Sequence, residues 1–354
     1  MAGGVGSRFW PMSRTNHPKQ FIDILGTGQT LLQQTYNRFL KLCPKENIFV
    51  VTNEIYTDLV KKQIEGINEN NILSEPARKN TAPCVAYASY KIAALNPDAI
   101  TIVAPSDHLI TKEESFERAI TSCIEKTSSE DCLLTLGIRP SRPDTGYGYI
   151  QFEESVVPYK DRHIRKVKTF TEKPDLEMAK FFMENGDFLW NSGIFIWSTK
   201  SIIKAFEMHS PDIDALFKEG NAVYNTSKET EFITKVYTEC KNISIDYAIM
   251  EKAKNVFVRS SDLGWSDLGT WGSLYEHIPH DKAENAIVGK NVMMYDSQNC
   301  IVNVPKNKLV VMQGLDGYIV VESDGMLLIC KKDDEQQIRT FVNDVKITKG
   351  DDFI

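Results

Sequence analysis

The sequence predicts an α/β fold: a Rossmann-like, mostly parallel sheet with helices on both faces, followed by a smaller β-rich C-terminal part. Three observations carry that expectation. Helical and strand-like patterns alternate from residue 31 to residue 137. The strand-like runs are short and apolar, as in a sheet covered on both sides. From Ile287 onward the pattern changes to short strands separated by Gly, Asn and Asp turns.

Leu31 to Leu42 has the apolar spacing of an amphipathic helix, and 47–52 (NIFVVT) is a β-branched and aromatic strand. A helical stretch from Tyr56 to Ile67, a strand at 71–75, an Ala-rich helix from Thr81 to Ala94 and a buried strand at 100–104 follow. A helix from Phe116 to Lys126 and a strand at 132–137 complete a doubly wound half. The middle of the chain reads as strands at 148–152, 163–172 and 192–197, with helices at 176–185, 201–209, 229–240 and 245–253. The strand spacing beyond residue 287 keeps no strict hexapeptide period, so a partial β-helix at most is expected there. The predicted division is 1–282 and 283–354.

With 354 residues, 42% of them hydrophobic and 25% charged, the chain has the composition of a globular protein with a sizeable core. Its net charge of -7 lacks the basic footprint that a nucleic-acid backbone requires, so no nucleic-acid partner is expected. No apolar run reaches the roughly 20 residues of a membrane span, so no membrane partner is expected either. The cysteines number seven, are scattered and form no CxxC pair, which reads as reduced core thiols in a cytoplasmic protein.

The segment 2–21 (AGGVGSRFWPMSRTNHPKQF) is the most informative. Gly3, Gly4 and Gly6 let backbone N–H groups approach an anion closely, Ala2 and Ser7 extend the same loop, and Arg8 and Lys19 add charge. Three glycines alone read equally well as a Gly-rich turn with solvated cations. The spacing is neither GxxxxGK[ST] nor GxGxxG, which excludes both of those phosphate motifs. Such a loop normally leaves the end of a β-strand, yet only Met1 precedes Ala2. The expectation is a loop with nothing to anchor it, and therefore poorly ordered.

GxGxR followed by Pro11 and by Pro18-Lys19 resembles the signature of the sugar-1-phosphate nucleotidyltransferases. The details FWPMSR and PKQF are similar to their mannose-1-phosphate guanylyltransferase branch, also called GDP-mannose pyrophosphorylase. The resemblance continues through 75–83 (EPARKNTAP), 105–109 (PSDHL), 145–149 (TGYGY), 170–174 (FTEKP), 190–194 (WNSGI) and 264–271 (GWSDLGTW).

It implies transfer of GMP from GTP to mannose 1-phosphate, with Arg8 and Lys19 as catalytic cations and the 2–7 loop on the triphosphate. Glu75, Asn80 and Thr81 then lie on the guanosine side, where a carboxylate suits the N–H edge of guanine. Asn80 or Thr81 is equally a helix cap. Gly146, Glu172, Lys173 and Asn191 lie on the sugar-phosphate side. Asp107 and Asp267 are the implied Mg²⁺ ligands, hard oxygen donors for a hard cation, with Asp262 a rival for the second position. A homodimer is expected. The alternatives are a nucleotidyltransferase for another sugar 1-phosphate, such as glucose or a heptose, and a non-catalytic nucleotide-sugar-binding regulatory relative.

Overall fold

A computed structural model describes residues 1–154 and 159–354. In chain order the strands of the first part are β1 (Val50–Asn53), β2 (Ile72–Glu75), β3 (Ile100–Val103), β4 (Leu109–Ile110), β5 (Leu133–Ile138), β6 (Tyr149–Phe152), β7 (Ile164–Thr171), β8 (Phe188–Ser198), β9 (Val256–Ser260) and β10 (Trp265–Ser266). The main sheet has the order β3-β8-β5-β9-β7-β6, with the pair β1-β2 beside β3. Strands β1, β2, β3, β5, β6 and β9 run one way, and β7 and β8 run against them. The reversal comes from β8, which inserts antiparallel between β3 and β5. It is the longest apolar run of the sheet and is buried along most of its length.

The loop at the N-terminus is anchored, contrary to the sequence expectation. Ala2 bridges Thr52 in parallel, its N–H donating to Val51 O at 2.7 Å, and the Met1 amine donates to Ala104 O at 2.8 Å. Two residues thus bridge β1 and the segment after β3 with three backbone hydrogen bonds, counting Ser106 N–H to Met1 O at 2.9 Å.

Helix Thr81–Leu95 is buried on most of its faces, as its alanines and small residues allow. It packs between the sheet and the helices Thr199–His209 and Glu229–Glu239 in one apolar core. Other helices extend or refine the sequence reading. Residues 113–129 are helical beyond the predicted 116–126, and the stretch expected as an ordinary helix at 245–253 is a π-helix at Asp246–Met250. The strand expected at 192–197 begins at Phe188, because Asn191 lies in the ladder with its N–H bonded to Gly148 O at 2.8 Å. All seven cysteines are free, and all but Cys43 are buried. Among the described residues no helix is long and apolar enough to cross a membrane.

In the C-terminal part, β11 (Ala286–Val288), β12 (Asn291–Tyr295), β13 (Ile301–Asn303), β14 (Leu309–Gln313), β15 (Tyr318–Ser323) and β16 (Met326–Lys331) follow. β11, β13 and β15 stack in parallel, as do β12 and β14, and β16 closes one edge as a hairpin with β15. These are coils of a short parallel β-helix. The steps from 286 to 301 and from 301 to 319 are unequal, which hides the repeat in the sequence. A helix at Ile338–Lys349, absent from the sequence reading, folds back toward the start of the chain. Phe9, Trp10, Ile22 and Ile24 of the N-terminal segment share one core with Ile301, Ile319, Val321 and Ile338.

Ile319→Ala deletes a fully buried side chain from that shared core. It is expected to destabilise the protein by about 2–5 kcal/mol, read from the urea midpoint. A loss well below 1 kcal/mol would contradict the shared packing.

Candidate functional site

Gly6 adopts φ 72° and carries the chain into the short turn Ser7–Phe9. A Cβ there would lie 2.7 Å from the Lys19 Cβ, so close passage of the two segments also demands glycine. Lys19 N–H donates to Val5 O at 3.2 Å, and Ser13 Oγ donates to the same carbonyl. Gly4 is exposed and Gly3 faces Glu75, so the loop presents open backbone toward the cleft.

Lys19 is only 4% exposed. Its ammonium pairs with Asp107 Oδ2 at 2.9 Å and donates to the carbonyls of Asp267 at 2.7 Å and Leu268 at 3.1 Å. The antiparallel pairing of β4 and β10, with Leu109 opposite Ser266, brings the segments that carry Asp107 and Asp267 together at Lys19. Burial works to raise the Asp107 pKa. Attraction to Lys19, with the Lys19 hydrogen bond, outweighs it and holds the carboxyl below its usual range.

Asp267 Oδ1 accepts from the Tyr147 hydroxyl at 2.7 Å and from Gly269 N–H at 2.9 Å, which orients the carboxylate. The rival Asp262 is 80% exposed and pairs with Lys112 at 2.6 Å, so it takes no part in this cluster. Trp265 Nε1–H donates to His108 Nδ1 at 3.2 Å, which leaves His108 with its proton on Nε2, and burial holds its pKa below the ordinary value. Both carboxylates are hard oxygen donors of the kind a divalent cation takes, although among the described residues no group of three or more His, Cys, Asp or Glu side chains is placed to hold a metal ion.

At the other side of the Gly-rich loop, β2 ends at Glu75, whose Oε1 accepts from the Tyr237 hydroxyl at 2.7 Å. Burial pushes its pKa up to about 7, against the Tyr237 bond and the nearby Met1 amine. Asn80 has φ 67°, and its Oδ1 accepts from Thr81 N–H at 2.9 Å, capping helix Thr81–Leu95. Thr81 Oγ1 accepts from Ile245 N–H at 2.8 Å, which ties that cap to the π-helix.

On the opposite side, a Cβ at Gly148 would lie 2.5 Å from Glu172 Oε2, so this glycine marks the closest approach in the TGYGY segment. The Gly146 N–H is taken by Asp144 Oδ1 at 2.8 Å. Glu172 is nearly buried and pairs with the exposed Lys173 ammonium at 2.7 Å. Asn191 Oδ1 accepts from Thr135 Oγ1 at 3.1 Å and from Gly193 N–H at 3.2 Å. Its Nδ2 donates to Asp246 Oδ1 at 3.0 Å.

The sequence reading missed Asp246, Tyr147 and Arg339. Asp246 opens the π-helix, and burial, with the nearby Glu172 charge, raises its pKa to about 6. In the sequence it looks like an ordinary acid in a first helical turn. Tyr147 lies in the TGYGY motif, but its bond to Asp267 spans 120 residues. Arg8 Nε is buried without a hydrogen-bond partner among the described residues. Arg339 of the C-terminal helix has its pKa lowered by burial and then by Arg8. The C-terminal helix packs against the Ser7–Phe9 turn, which brings Arg339 within range of the Arg8 charge.

The Glu75 pKa rises from 4.5 to about 7 on folding. Its contribution to stability is therefore full below the unfolded value and is lost as the pH rises through the folded one. Glu75→Gln should flatten the fall in melting temperature between those limits, an effect on the order of 3 kcal/mol. Thermal denaturation across that range checks it, and an unchanged slope would contradict the buried acid.

Comparison with known proteins agrees with this geometry. The nucleotidyl transferase family model matches residues 1–284, and the MannoseP isomerase/GMP-like beta-helix domain model matches residues 290–345. The chain is 32% identical to a mannose-1-phosphate guanylyltransferase of Escherichia coli, over 98% of this chain and 75% of that protein. It is 34% identical to one of Klebsiella pneumoniae, over 98% of this chain and 73% of that protein. A crystal structure described as mannose-1-phosphate geranyltransferase from Thermus thermophilus superposes with a TM-score of 0.87 at 29% identity, over 98% of both chains. The chain belongs to the nucleotidyl transferase family, in its mannose-1-phosphate guanylyltransferase branch.

Proposed function

We propose that this enzyme transfers GMP from GTP to mannose 1-phosphate, giving GDP-mannose and pyrophosphate. The observation that carries the reading is Lys19, closed onto the Gly-rich loop at Val5 and bonded to the Asp107 carboxylate and the Asp267 carbonyl, together with the separate cluster of Asn191, Asp246 and Glu172. An oxygen of the sugar phosphate attacks the α-phosphorus, the bond to the β-phosphate breaks, and pyrophosphate leaves with the electron pair. No covalent enzyme intermediate is needed, so catalysis rests on positioning and charge neutralisation.

Arg8 holds the departing pyrophosphate together with the loop amides from Ala2 to Ser7. Lys19 offsets the charge that develops at the α-phosphate, and Glu75 with the 80–81 cap faces the guanine edge. Glu172, Asn191 and Lys173 read the sugar phosphate. Asp107 and Asp267 would hold Mg²⁺, which when bound neutralises and orients phosphate oxygens. A binding-only relative fits less well, because Arg8, Lys19, Asp107 and Asp267 are all present.

Pyrophosphate release from a panel of nucleoside triphosphates against several sugar 1-phosphates tests the reading, with GTP and mannose 1-phosphate expected to give the highest kcat/KM. Asp107→Ala should reduce kcat by at least about 10³-fold with the fold retained. Substantial residual turnover would remove Asp107 from the mechanism.

We also propose residues 1–282 as the transferase and 283–354 as a β-rich unit that pairs two copies. Met293, Tyr295, Leu309 and Val311 support this, since they leave an exposed apolar strip on neighbouring β12 and β14. Val311→Lys should convert a dimer to a monomer in sedimentation velocity, and a monomeric parent protein would overturn the pairing.

A further inference from the structure

The side chain of Asn191 is fixed at both ends of its amide. Oδ1 accepts from Gly193 N–H at 3.2 Å and from the Thr135 hydroxyl at 3.1 Å, and Nδ2 donates to Asp246 Oδ1 at 3.0 Å. An amide is nearly symmetric in shape, so only its neighbours can tell its oxygen from its nitrogen. Turned over, Nδ2 would face the Gly193 N–H and Oδ1 would face the Asp246 carboxylate, donor against donor and acceptor against acceptor. In the orientation that remains, Asp246 takes one of the two Nδ2 hydrogens. The other has no acceptor among the described residues. A Cβ at Gly148 would meet both Glu172 Oε2, at 2.5 Å, and Asn191 Cβ, at 3.5 Å, so a carboxylate acceptor and an amide donor border one small space.

Asp246 is held in place from the other side. Ile243 N–H donates to Lys79 O at 3.3 Å, Ala82 N–H to Ile243 O at 3.1 Å and Ile245 N–H to Thr81 Oγ1 at 2.8 Å. The residues that lead into the π-helix Asp246–Met250 are thereby stitched to the start of helix Thr81–Leu95. The charged groups that act on Asp246 are Glu172 and Lys173, which follow β7, and Glu251 at the end of the same π-helix lies within range of Glu172. Helix Thr199–His209 also packs on the π-helix, but its Lys200, Lys204 and Glu207 pair elsewhere, with Asp98, Asp131 and Lys218, and His209 lies by Lys252.

We infer that Asp246 is a positioning residue of the sugar-phosphate side: as a carboxylate it locks the Asn191 amide in the one orientation that presents an N–H to a sugar hydroxyl. The inference rests on the mannose 1-phosphate reading above and adds to it a residue that acts only through Asn191. Burial, with the Glu172 charge, raises the Asp246 pKa to about 6. The carboxylate that holds the amide is therefore present above that value and is lost as the pH falls through it. A protonated carboxyl carries a donor as well as an acceptor and so admits the turned-over amide.

The test is initial-rate kinetics on the parent protein, Asp246→Asn, Asn191→Ala and the double variant. Asp246→Asn keeps the shape of the side chain but is neutral at every pH. At neutral pH it should raise the KM for mannose 1-phosphate by at least about tenfold, with kcat and the KM for GTP within about threefold of the parent. As the pH falls through about 6, the parent KM should rise toward that of the variant. The substrate phosphate also titrates there, but it does so equally for both proteins, so the ratio of the two KM values isolates Asp246. In the Asn191→Ala background, adding Asp246→Asn should change KM by less than about twofold, because the group it orients is gone. A KM ratio that stays constant with pH would overturn the inference and leave the reading of the function standing. So would an equal effect of Asp246→Asn with and without Asn191. An unchanged KM in Asn191→Ala, or no turnover of mannose 1-phosphate by the parent protein, would overturn that reading and the inference with it.

Discussion

The buried ammonium of Lys19 holds the site together. It bonds the Asp107 carboxylate and the carbonyls of Asp267 and Leu268, and its own backbone N–H closes onto Val5. A cation taken this far out of water must be paired and hydrogen-bonded, and here the partners are the elements that build the cleft. The Gly-rich loop, the end of β3 and the segment after β10 are thus fastened at one point. The β4–β10 ladder gives that point its register, and Tyr147 fixes the rotation of Asp267.

A second constraint comes from the other end of the chain. Trp10 Nε1–H donates to Phe353 O at 2.7 Å, Arg14 pairs with Asp324, and Gly272 N–H donates to Glu335 Oε2 at 2.8 Å. Phe9 and Trp10 are buried in the same core as Ile319 and Ile338. The β-helix coils therefore buttress the loop that carries Arg8, and the helix they lead into adds Arg339 beside it.

The acids of the cleft divide by environment. Asp107 has a cation against it and stays ionised, whereas Glu75 and Asp246 are buried beside neutral donors and titrate near neutrality. This contrast follows from the partner each carboxylate meets rather than from residue type, since another aspartate, Asp262, stays in water with Lys112.

The alternation of strands and helices, the change of character near residue 287 and the motif residues of the site were all legible in the amino-acid sequence. These features are local, written in side-chain period and in glycine and proline placement. What depended on distant partners stayed hidden. The antiparallel insertion of β8, the unequal coil steps and the C-terminal helix arise from packing, as does the difference between Asp267, bonded to Tyr147, and the exposed Asp262. Asp246, Tyr147 and Arg339 gain meaning only through neighbours far along the chain. The order of the opening loop is the plainest case. The tertiary structure anchors it through hydrogen bonds of Met1 and Ala2 to β1 and to the residues that follow β3. Backbone groups carry no sequence signature, so the fold alone settles which edges they complete.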